Sequence, residues 1–214
     1  MPIQKNYQQK FLKFALDSNA LSFGDFTLKS GRISPYFFNA GMFNTGKEIA
    51  QLGKYYAQAI VNSGLEFDVL FGPSYKGIPL ASVTSAYLYT EHNKNIGYSF
   101  NRKEAKSHGE KGLIVGSEIS AKVLVIDDVI TAGTSVNESV ELIKQYGGTL
   151  VGVVIMLDRQ ERGQGETSAV NEIEQKHQVP VISVANLMDL TKFVSYDQNL
   201  FKRISEYRNK YGID

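Results

Sequence analysis

The sequence predicts an α/β fold, with a central parallel sheet of about five strands flanked by helices and a small N-terminal appendage. Short apolar runs, typical of buried strands, alternate with longer segments whose apolar residues recur with helical spacing. Such alternation favours a parallel sheet covered on both faces. A chain of 214 residues can bury a sizeable core. We expect one domain over residues 1–214, with N-terminal elements in about 1–44 and an α/β core with C-terminal helices in 45–214.

The N-terminal part is predicted to contain one helix and two short strands. The helix covers residues 4–17, where Phe11 and Phe14 fall on one face. Residues 21–39 are expected to be extended, with a turn at 29–32 between the two strands. These elements show no alternation of strands with helices and therefore stand apart from the main fold.

The core is predicted to alternate strands and helices from residue 45 onward. The predicted strands cover residues 67–72, 96–100, 123–126, 149–157 and 179–184. The predicted helices cover residues 46–62 and 76–91, start near residue 135, and include one before the last strand and two after it. Ligands of parallel sheets bind beyond the carboxyl ends of the strands. The loops expected at that edge cover residues 72–77, 101–117, 127–134 and 158–166.

Composition excludes several classes of function. The net charge is +1, so no global basic field indicates a nucleic-acid partner. The chain has no cysteine, which excludes disulfides, thiolate nucleophiles and cysteine-bound zinc, and fits a cytoplasmic location. The first ten residues lack the apolar core of a signal peptide, and no apolar run reaches transmembrane length. We expect a cytoplasmic protein without membrane or nucleic-acid partners.

The most informative stretch begins at the predicted strand 123–126, which ends on two adjacent carboxylates, Asp127 and Asp128. Carboxylates at this position suit the hydroxyls of a sugar or a metal ion. Paired aspartates at the end of a strand can also simply cap or solvate a turn. The residues that follow decide between these alternatives.

A short loop, residues 131–134, opens into a helix directly after the carboxylates. The first N–H groups of a helix lack partners and its dipole is positive there, so the start of a helix binds anions well. Gly133 lets the backbone approach a ligand closely. Ser135 and Glu138 have the spacing of a capping box. A phosphate therefore fits the loop, and phosphate beside carboxylates indicates a phosphorylated ribose.

The polar segment 101–111 is the second strong feature. Its basic residues are Arg102, Lys103, Lys106, His108 and Lys111. Long loops inside compact domains are usually functional or disordered. Beside a ribose-phosphate site, this segment is interpreted as a mobile lid for pyrophosphate. The alternative is a solvated surface, which is the usual explanation of a run of charges.

Two other basic residues lie in the predicted edge loops. Lys76 is at the start of a helix, where a cation gains nothing from the dipole and would do better near a bound anion. Arg159 can form a two-pronged contact with a carboxylate. The alternatives are a surface lysine for Lys76 and, for Arg159, a surface ion pair with Glu161 or Glu166.

The string from the strand to Ser135 resembles the phosphoribosyl-pyrophosphate (PRPP) signature of the type I phosphoribosyltransferases. Over nearly its whole length, the chain resembles the orotate phosphoribosyltransferases of the bacterial type. The supporting strings cover residues 26–32, 34–39, 71–77, 101–106, 108–110 and 158–163. Two residues depart from the pattern: Ser107 stands where an acidic residue is expected, and Lys111 where glycine is expected.

The resemblance implies a type I phosphoribosyltransferase fold, with a Rossmann-like parallel sheet and a small N-terminal hood. It also implies a reaction, in which orotate and PRPP give orotidine 5′-monophosphate and pyrophosphate in pyrimidine biosynthesis. Magnesium is the implied cofactor, bound mainly through PRPP oxygens and water near Asp127 and Asp128, with no direct protein ligand assigned. The family is a homodimer with shared sites, which Arg102, Lys106 and His108 would complete from the partner.

The site residues implied by the resemblance fall into three groups. The PRPP group is Tyr75, Lys76, Arg102, Lys103, Lys106, His108, Asp127, Asp128, Val129, Ile130, Thr131, Ala132, Gly133, Thr134 and Ser135. The orotate group is Lys29, Phe37, Phe38, Thr131 and Arg159. The catalytic group is Arg102, Lys106, His108 and Asp128, in which Asp128 is a candidate proton acceptor.

Two alternative functions fit the sequence less well. A phosphoribosyltransferase for adenine or a 6-oxopurine is disfavoured by Arg159 and the Phe37–Phe38 segment. A PRPP-sensing regulator without chemistry would need an effector module, and the sequence contains no basic helix-turn-helix or spare domain.

Overall fold

The computed structural model describes residues 6–28, 30–106, 112–131, 133–163 and 165–213, apart from the side chains of Ala105 and Lys106. The described residues form a two-stranded sheet and a six-stranded sheet. Helices pack on both faces of the larger sheet. The predicted α/β class is confirmed. No helix within these described ranges is long and apolar enough to cross a membrane.

The N-terminal elements are a helix and an antiparallel hairpin, as predicted. Their bounds are α1 (Tyr7–Asp17), β1 (Leu21–Thr27) and β2 (Ile33–Phe38), followed by a short 3-10 turn (Ala40–Met42). Leu21 pairs with Phe38 at the open end of the hairpin. Gly31 has a φ of 80° in the connecting turn, a conformation that glycine adopts without steric cost. This two-stranded sheet is called the hood below.

The remaining elements alternate along the chain. Their bounds are α2 (Gly46–Ser63), β3 (Val69–Gly72), α3 (Gly77–His92), β4 (Gly97–Lys106), β5 (Gly112–Gly116), β6 (Lys122–Ile126), α4 (Thr134–Gln145), β7 (Thr149–Asp158), α5 (Ala169–His177), β8 (Val181–Asn186), α6 (Leu187–Phe193) and α7 (Gln198–Tyr211). Local sequence fixes several boundaries. At the start of α2, for example, the Thr45 hydroxyl accepts from the Glu48 N–H and the Glu48 carboxylate accepts from the Thr45 N–H.

The six-stranded sheet has the order β5-β4-β3-β6-β7-β8. Strands β3, β4, β6, β7 and β8 are parallel. These are the five predicted strands of the parallel sheet. The prediction of a long loop at 102–117 is wrong, because β4 continues to Lys106 and pairs with an additional antiparallel edge strand, β5. The hairpin escaped prediction because its β4 arm is polar, and a strand at the edge of a sheet need not bury an apolar face.

The parallel strands bury side chains on both faces, which explains their continuous apolar runs. On β6, Leu124 and Ile126 pack on the face covered by α2, whereas Val123 and Val125 pack on the face covered by α4 and α5. All four side chains are fully buried. The sheet is therefore a rigid base for the loops that leave its carboxyl edge.

Candidate active site at the carboxyl edge of the sheet

Two loops meet at the carboxyl edge of the sheet. Strands β3 and β6 are parallel neighbours, so the loops that follow them emerge side by side. Lys76, in the loop after β3, places its Nζ 2.5 Å from Oδ2 of Asp128, in the loop after β6. The Lys76 side chain is 66% exposed and is paired with this nearly buried carboxylate. The prediction that these loops share one edge is confirmed.

Backbone hydrogen bonds hold the two carboxylate residues in place. The Asp127 N–H donates to the Val154 carbonyl at 3.0 Å, and the Met156 N–H donates to the Asp128 carbonyl at 2.8 Å. The Tyr56 hydroxyl, which is fully buried, donates to the Asp127 carbonyl at 2.8 Å. The backbone of both acidic residues is therefore tied to β7, and that of Asp127 also to α2.

The carboxylates themselves are nearly buried, with Asp127 8% and Asp128 7% exposed. Asp127 Oδ1 accepts from the Asp128 N–H at 2.9 Å, and Asp128 Oδ1 accepts from the Val129 N–H at 2.8 Å. Burial raises the pKa of Asp127, and the Asp128 charge adds to that effect, against the lowering influence of the Asp128 N–H, Ser135 and Lys76. The pair concentrates negative charge where sugar hydroxyls could donate.

The loop after the carboxylates leads into α4 with the geometry of an anion site. Gly133 precedes α4 with a φ of 68°, and a Cβ there would lie 2.9 Å from Cδ1 of Ile173. The predicted capping box of Ser135 and Glu138 is wrong. Helix α4 begins at Thr134 with Gly133 as its N-cap, so Ser135 lies inside the first turn. An N-cap without a side chain suits binding of a phosphate by the helix start.

The β4–β5 hairpin is attached to the loop after β3. The Ser74 N–H donates to Oδ1 of Asn101 at 2.9 Å. Lys103 places its Nζ 4.9 Å from the ring centroid of Tyr75, a cation–π contact. Basic residues of the hairpin therefore lie next to the loop that carries Lys76.

A cavity of about 300 Å³ opens between the β4–β5 hairpin, the loop after β3 and the start of α4. Arg102, Lys103 and Ser135 are among its lining residues. The Arg102 guanidinium also lies 3.5 Å from the Gly112 carbonyl across the hairpin. The cavity thus combines two cations with the predicted phosphate loop.

Arg159 follows β7, the neighbour of β6, and its side chain lies under the hood. Its Nη2 is 2.7 Å from Oε1 of Glu161 and 3.2 Å from Oγ of Ser34, and its guanidinium lies 4.3 Å from the ring centroid of Tyr36. The expected surface pair with Glu161 exists but is not on the surface, because the two side chains are 26% and 9% exposed. Burial acts to lower the pKa of Arg159, but Tyr36 and Glu161 outweigh it and raise that pKa.

The side chains of the two predicted phenylalanines, Phe37 and Phe38, point to opposite faces of the hood. Successive residues of a strand point to opposite faces. Phe37 stacks on Phe26 on the exposed face of the hood, with ring centroids 5.4 Å apart. Phe38 packs against the core beside Phe11, on the face that also carries Tyr36. The structure therefore brings only one of the two side chains to the face nearest Arg159.

Several predicted residues lie outside the described part of the chain. They are Lys29, His108 and Ala132, together with the departures Ser107 and Lys111, and the side chain of Lys106. Val129 and Ile130 are half-buried, and Thr131 and Thr134 are exposed at the edge of the sheet.

Four residues near the predicted site were missed as site residues: Tyr56, Asn101, Tyr36 and Tyr207. Asn101 and Tyr36 fall inside strings that supported the family resemblance. Tyr56 and Tyr207 lie on helices, where a tyrosine gives no signal beyond packing. Among the residues that the structure describes, no cluster of three or more acidic, histidine or cysteine side chains is arranged to hold a metal ion.

Comparisons with known proteins agree with one another. The family model of the phosphoribosyl transferase domain matches residues 39–185. The orotate phosphoribosyltransferase of Salmonella agona (strain SL483) is 52% identical over 212 residues, which is 98% of this chain and 100% of the relative.

Solved structures give the same result. The crystal structure of orotate phosphoribosyltransferase from Francisella tularensis superposes with a TM-score of 0.88 at 45% identity, covering 95% of this chain and 100% of that one. The orotate phosphoribosyltransferase of Mycobacterium tuberculosis in complex with PRPP matches with a TM-score of 0.61 at 25% identity, over 86% of this chain and 98% of that one.

Proposed function

The chain belongs to the orotate phosphoribosyltransferase family, and from that premise we propose that it transfers the 5-phosphoribosyl group of PRPP to N1 of orotate. The products are orotidine 5′-monophosphate and pyrophosphate, and the reaction is a step of pyrimidine biosynthesis. The proposal rests on one observation: the ion pair between Lys76 and Asp128 lies beside the N-terminus of α4, which has no side-chain cap. It combines a cation, two carboxylates and an anion site within one edge of the sheet.

PRPP is bound through three chemically distinct contacts. The loop 131–135 receives the 5′-phosphate at the positive end of α4, helped by the close backbone approach that Gly133 allows. Asp127 and Asp128 accept hydrogen bonds from the ribose hydroxyls. Lys76 exchanges its contact with Asp128 for one with the pyrophosphate, because its exposed side chain is free to turn.

Transfer is a displacement at the anomeric carbon of the ribose. N1 of orotate gives up its proton, for which Asp128 is the candidate acceptor. It forms the new bond to that carbon as the bond to the pyrophosphate oxygen breaks, through a state in which the ribose is cation-like. Asp127 and Asp128 stabilise positive charge on the sugar, and the basic residues stabilise the departing pyrophosphate. Those basic residues are Lys76, Arg102, Lys103, Lys106 and His108, with Tyr75 packed against Lys103.

Orotate is recognised by its carboxylate through Arg159. Glu161 and Ser34 both contact Nη2 of Arg159. A guanidinium has five N–H donors, so others remain for the carboxylate of a substrate. Lys29, Phe38 and Thr131 complete the base site in this proposal, whereas Phe37 lies on the opposite face of the hood. A base without a carboxylate would leave the arginine without its second partner, which favours orotate over uracil or a purine.

Magnesium is the proposed cofactor. Asp127 and Asp128 offer hard oxygen atoms next to the position of the ribose, which suits an ion that keeps several waters and uses few protein ligands. When bound, magnesium neutralises charge on the pyrophosphate. Asp127 and Asp128 would hold the sugar and would accept hydrogen bonds from waters bound to the metal.

A homodimer with shared sites and a cytoplasmic location complete the proposal. The β4–β5 hairpin lies at the edge of the sheet, where a neighbouring subunit can approach it. Arg102, Lys106 and His108 are proposed to act in the partner's site.

The test is a spectrophotometric assay of orotate consumption in the presence of PRPP and magnesium. Uracil, adenine and hypoxanthine serve as controls for the base. Loss of orotate that requires both PRPP and magnesium would support the proposal. If orotate is untouched while hypoxanthine or adenine is consumed, the assignment of the base is wrong.

A further inference from the structure

We infer that Glu161 is a positioning residue for orotate: tyrosines of the hood and of α7 fix its carboxylate, and the carboxylate sets the orientation of Arg159. The inference rests on the proposed function, in which Arg159 meets the orotate carboxylate. It assigns a role in substrate recognition to Tyr207, a residue of the C-terminal helix.

The Glu161 carboxylate has three partners from three regions of the fold. Oε1 lies 2.7 Å from Nη2 of Arg159 and accepts from the Tyr36 hydroxyl at 3.0 Å. Oε2 accepts from the Tyr207 hydroxyl at 3.0 Å. Both carboxylate oxygens are therefore engaged, which leaves the side chain a single orientation.

The environment makes these contacts persistent. Removing an ion pair from water is costly, and such a pair is retained only when additional hydrogen bonds satisfy its polar atoms. Tyr36 is fully buried and Tyr207 nearly so. Burial raises the pKa of both hydroxyls, and the neighbouring Glu161 charge adds to the effect. Both tyrosines therefore stay protonated and donate to Glu161 throughout the physiological pH range.

Arg159 is held in a defined plane by this arrangement. Its guanidinium lies over the Tyr36 ring, which fixes its tilt, and its Nη2 is shared by Glu161 and Ser34, which fixes its rotation. A two-pronged contact with a carboxylate demands a defined plane, because both N–H groups must point at the two oxygens together. Without Glu161 the flexible arginine side chain would have to be ordered by the substrate itself.

The C-terminal segment fixes the loop from which Glu161 projects. The Arg162 N–H donates to the Tyr211 carbonyl at 2.9 Å, and the Ile213 N–H donates to the Gln160 carbonyl at 2.9 Å. These bonds flank Glu161 on both sides along the chain. The end of α7 thus reaches the base site twice, through the backbone and through the Tyr207 hydroxyl.

The experiment compares four variants of the full-length protein by steady-state kinetics with orotate and PRPP varied separately. Glu161→Ala removes the positioning carboxylate. Glu161→Gln keeps an oxygen that accepts from Arg159 and Tyr36, and its amide can donate to the Tyr207 hydroxyl oxygen. Tyr207→Phe removes one donor and keeps the ring. Tyr211→Phe is the matched control, since it removes a hydroxyl one helical turn away and keeps the ring that contacts Tyr207, Arg32 and Lys210.

We expect Glu161→Ala to raise KM for orotate at least tenfold, which corresponds to about 1.4 kcal/mol, with KM for PRPP within twofold of wild type. Glu161→Gln should recover most of that loss, Tyr207→Phe should raise KM for orotate about threefold, and Tyr211→Phe should change neither constant. If Glu161→Ala folds poorly, as a melting curve would reveal, Tyr207→Phe compared with Tyr211→Phe still decides the question.

An unchanged KM for orotate in Glu161→Ala and Tyr207→Phe, or an equal rise of both KM values, would overturn the inference. The wild-type protein separates this failure from that of the proposed function. If wild type does not consume orotate, the proposed function is wrong. If it does, and the variants behave like wild type, only the positioning role is wrong.

Discussion

Replacing Lys76 by alanine should separate the chemistry of the site from the stability of the fold. The Lys76 ammonium lies 2.5 Å from Asp128 in the absence of ligand, but its side chain is 66% exposed. An exposed ion pair contributes little to stability, about 0–1 kcal/mol. Asp128 also keeps its hydrogen bond from the Val129 N–H, so we expect the variant to lose about 1 kcal/mol or less.

The cost to catalysis should be much larger. Two unit charges 4 Å apart interact by about 4 kcal/mol at an effective dielectric constant of 20. Water around an exposed lysine reduces this, so the loss of Lys76 should remove about 2–3 kcal/mol of stabilisation of the leaving pyrophosphate. That corresponds to a fall of about 30–150-fold in kcat/KM for PRPP.

The matched control is Lys54→Ala. Lys54 pairs with Glu91 at 2.8 Å on the protein surface, with side chains 51% and 35% exposed, and Glu91 lies at the end of α3 remote from the carboxyl edge. Chemical denaturation would measure stability, and initial rates at varied PRPP would measure catalysis. Equal kcat/KM in the two variants would refute the role of Lys76. A loss of several kcal/mol in stability would show that the lysine serves the fold.

Three further predictions follow from the site. Lys106→Ala should lower turnover by orders of magnitude with an unchanged melting temperature, and near-normal turnover would exclude its catalytic role. Mixing inactive Asp128→Ala and Lys106→Ala subunits should restore activity, because one site of the heterodimer is intact; no recovery after proven subunit exchange would argue against shared sites. Burial raises the pKa of Asp127, so its ionised form costs stability as pH rises through that pKa. Asp127→Asn should therefore raise the melting temperature at pH 7. It should not do so at pH 3, which lies below the ordinary aspartate pKa of about 3.9. Equal shifts of the melting temperature at both pH values would contradict this prediction.

The core strands could be predicted because their signal is local. A strand buried on both faces needs a continuous apolar run, and Val123 to Ile126 is such a run. The β4–β5 hairpin carries no such signal, because its polar β4 arm at the edge of the sheet does not have to bury an apolar face. Its strands are defined by the pairing of Phe100 with Val115 and of Asn101 with Ile114 across the hairpin.

The predicted phosphate loop shows that the start of a helix can also escape prediction from local sequence. The string around Asp127 and Asp128 indicated the phosphoribosyltransferase family correctly. The capping box failed because Gly133 adopts a positive φ, which starts α4 one residue before Ser135. Spacing alone cannot reveal where a helix begins when a glycine supplies the turn.

The sequence by itself determined the α/β class and the family, because the strand, the loop and the helix start that carry the family signature are contiguous in the chain. Only the tertiary structure decided how Lys76 meets Asp128, and how Glu161 holds Arg159 between the hood and α7. Contacts such as that of Arg159 with Ser34 join residues 125 positions apart. Their geometry depends on which strands are neighbours in the sheet and on where α7 packs, and no local pattern carries that information.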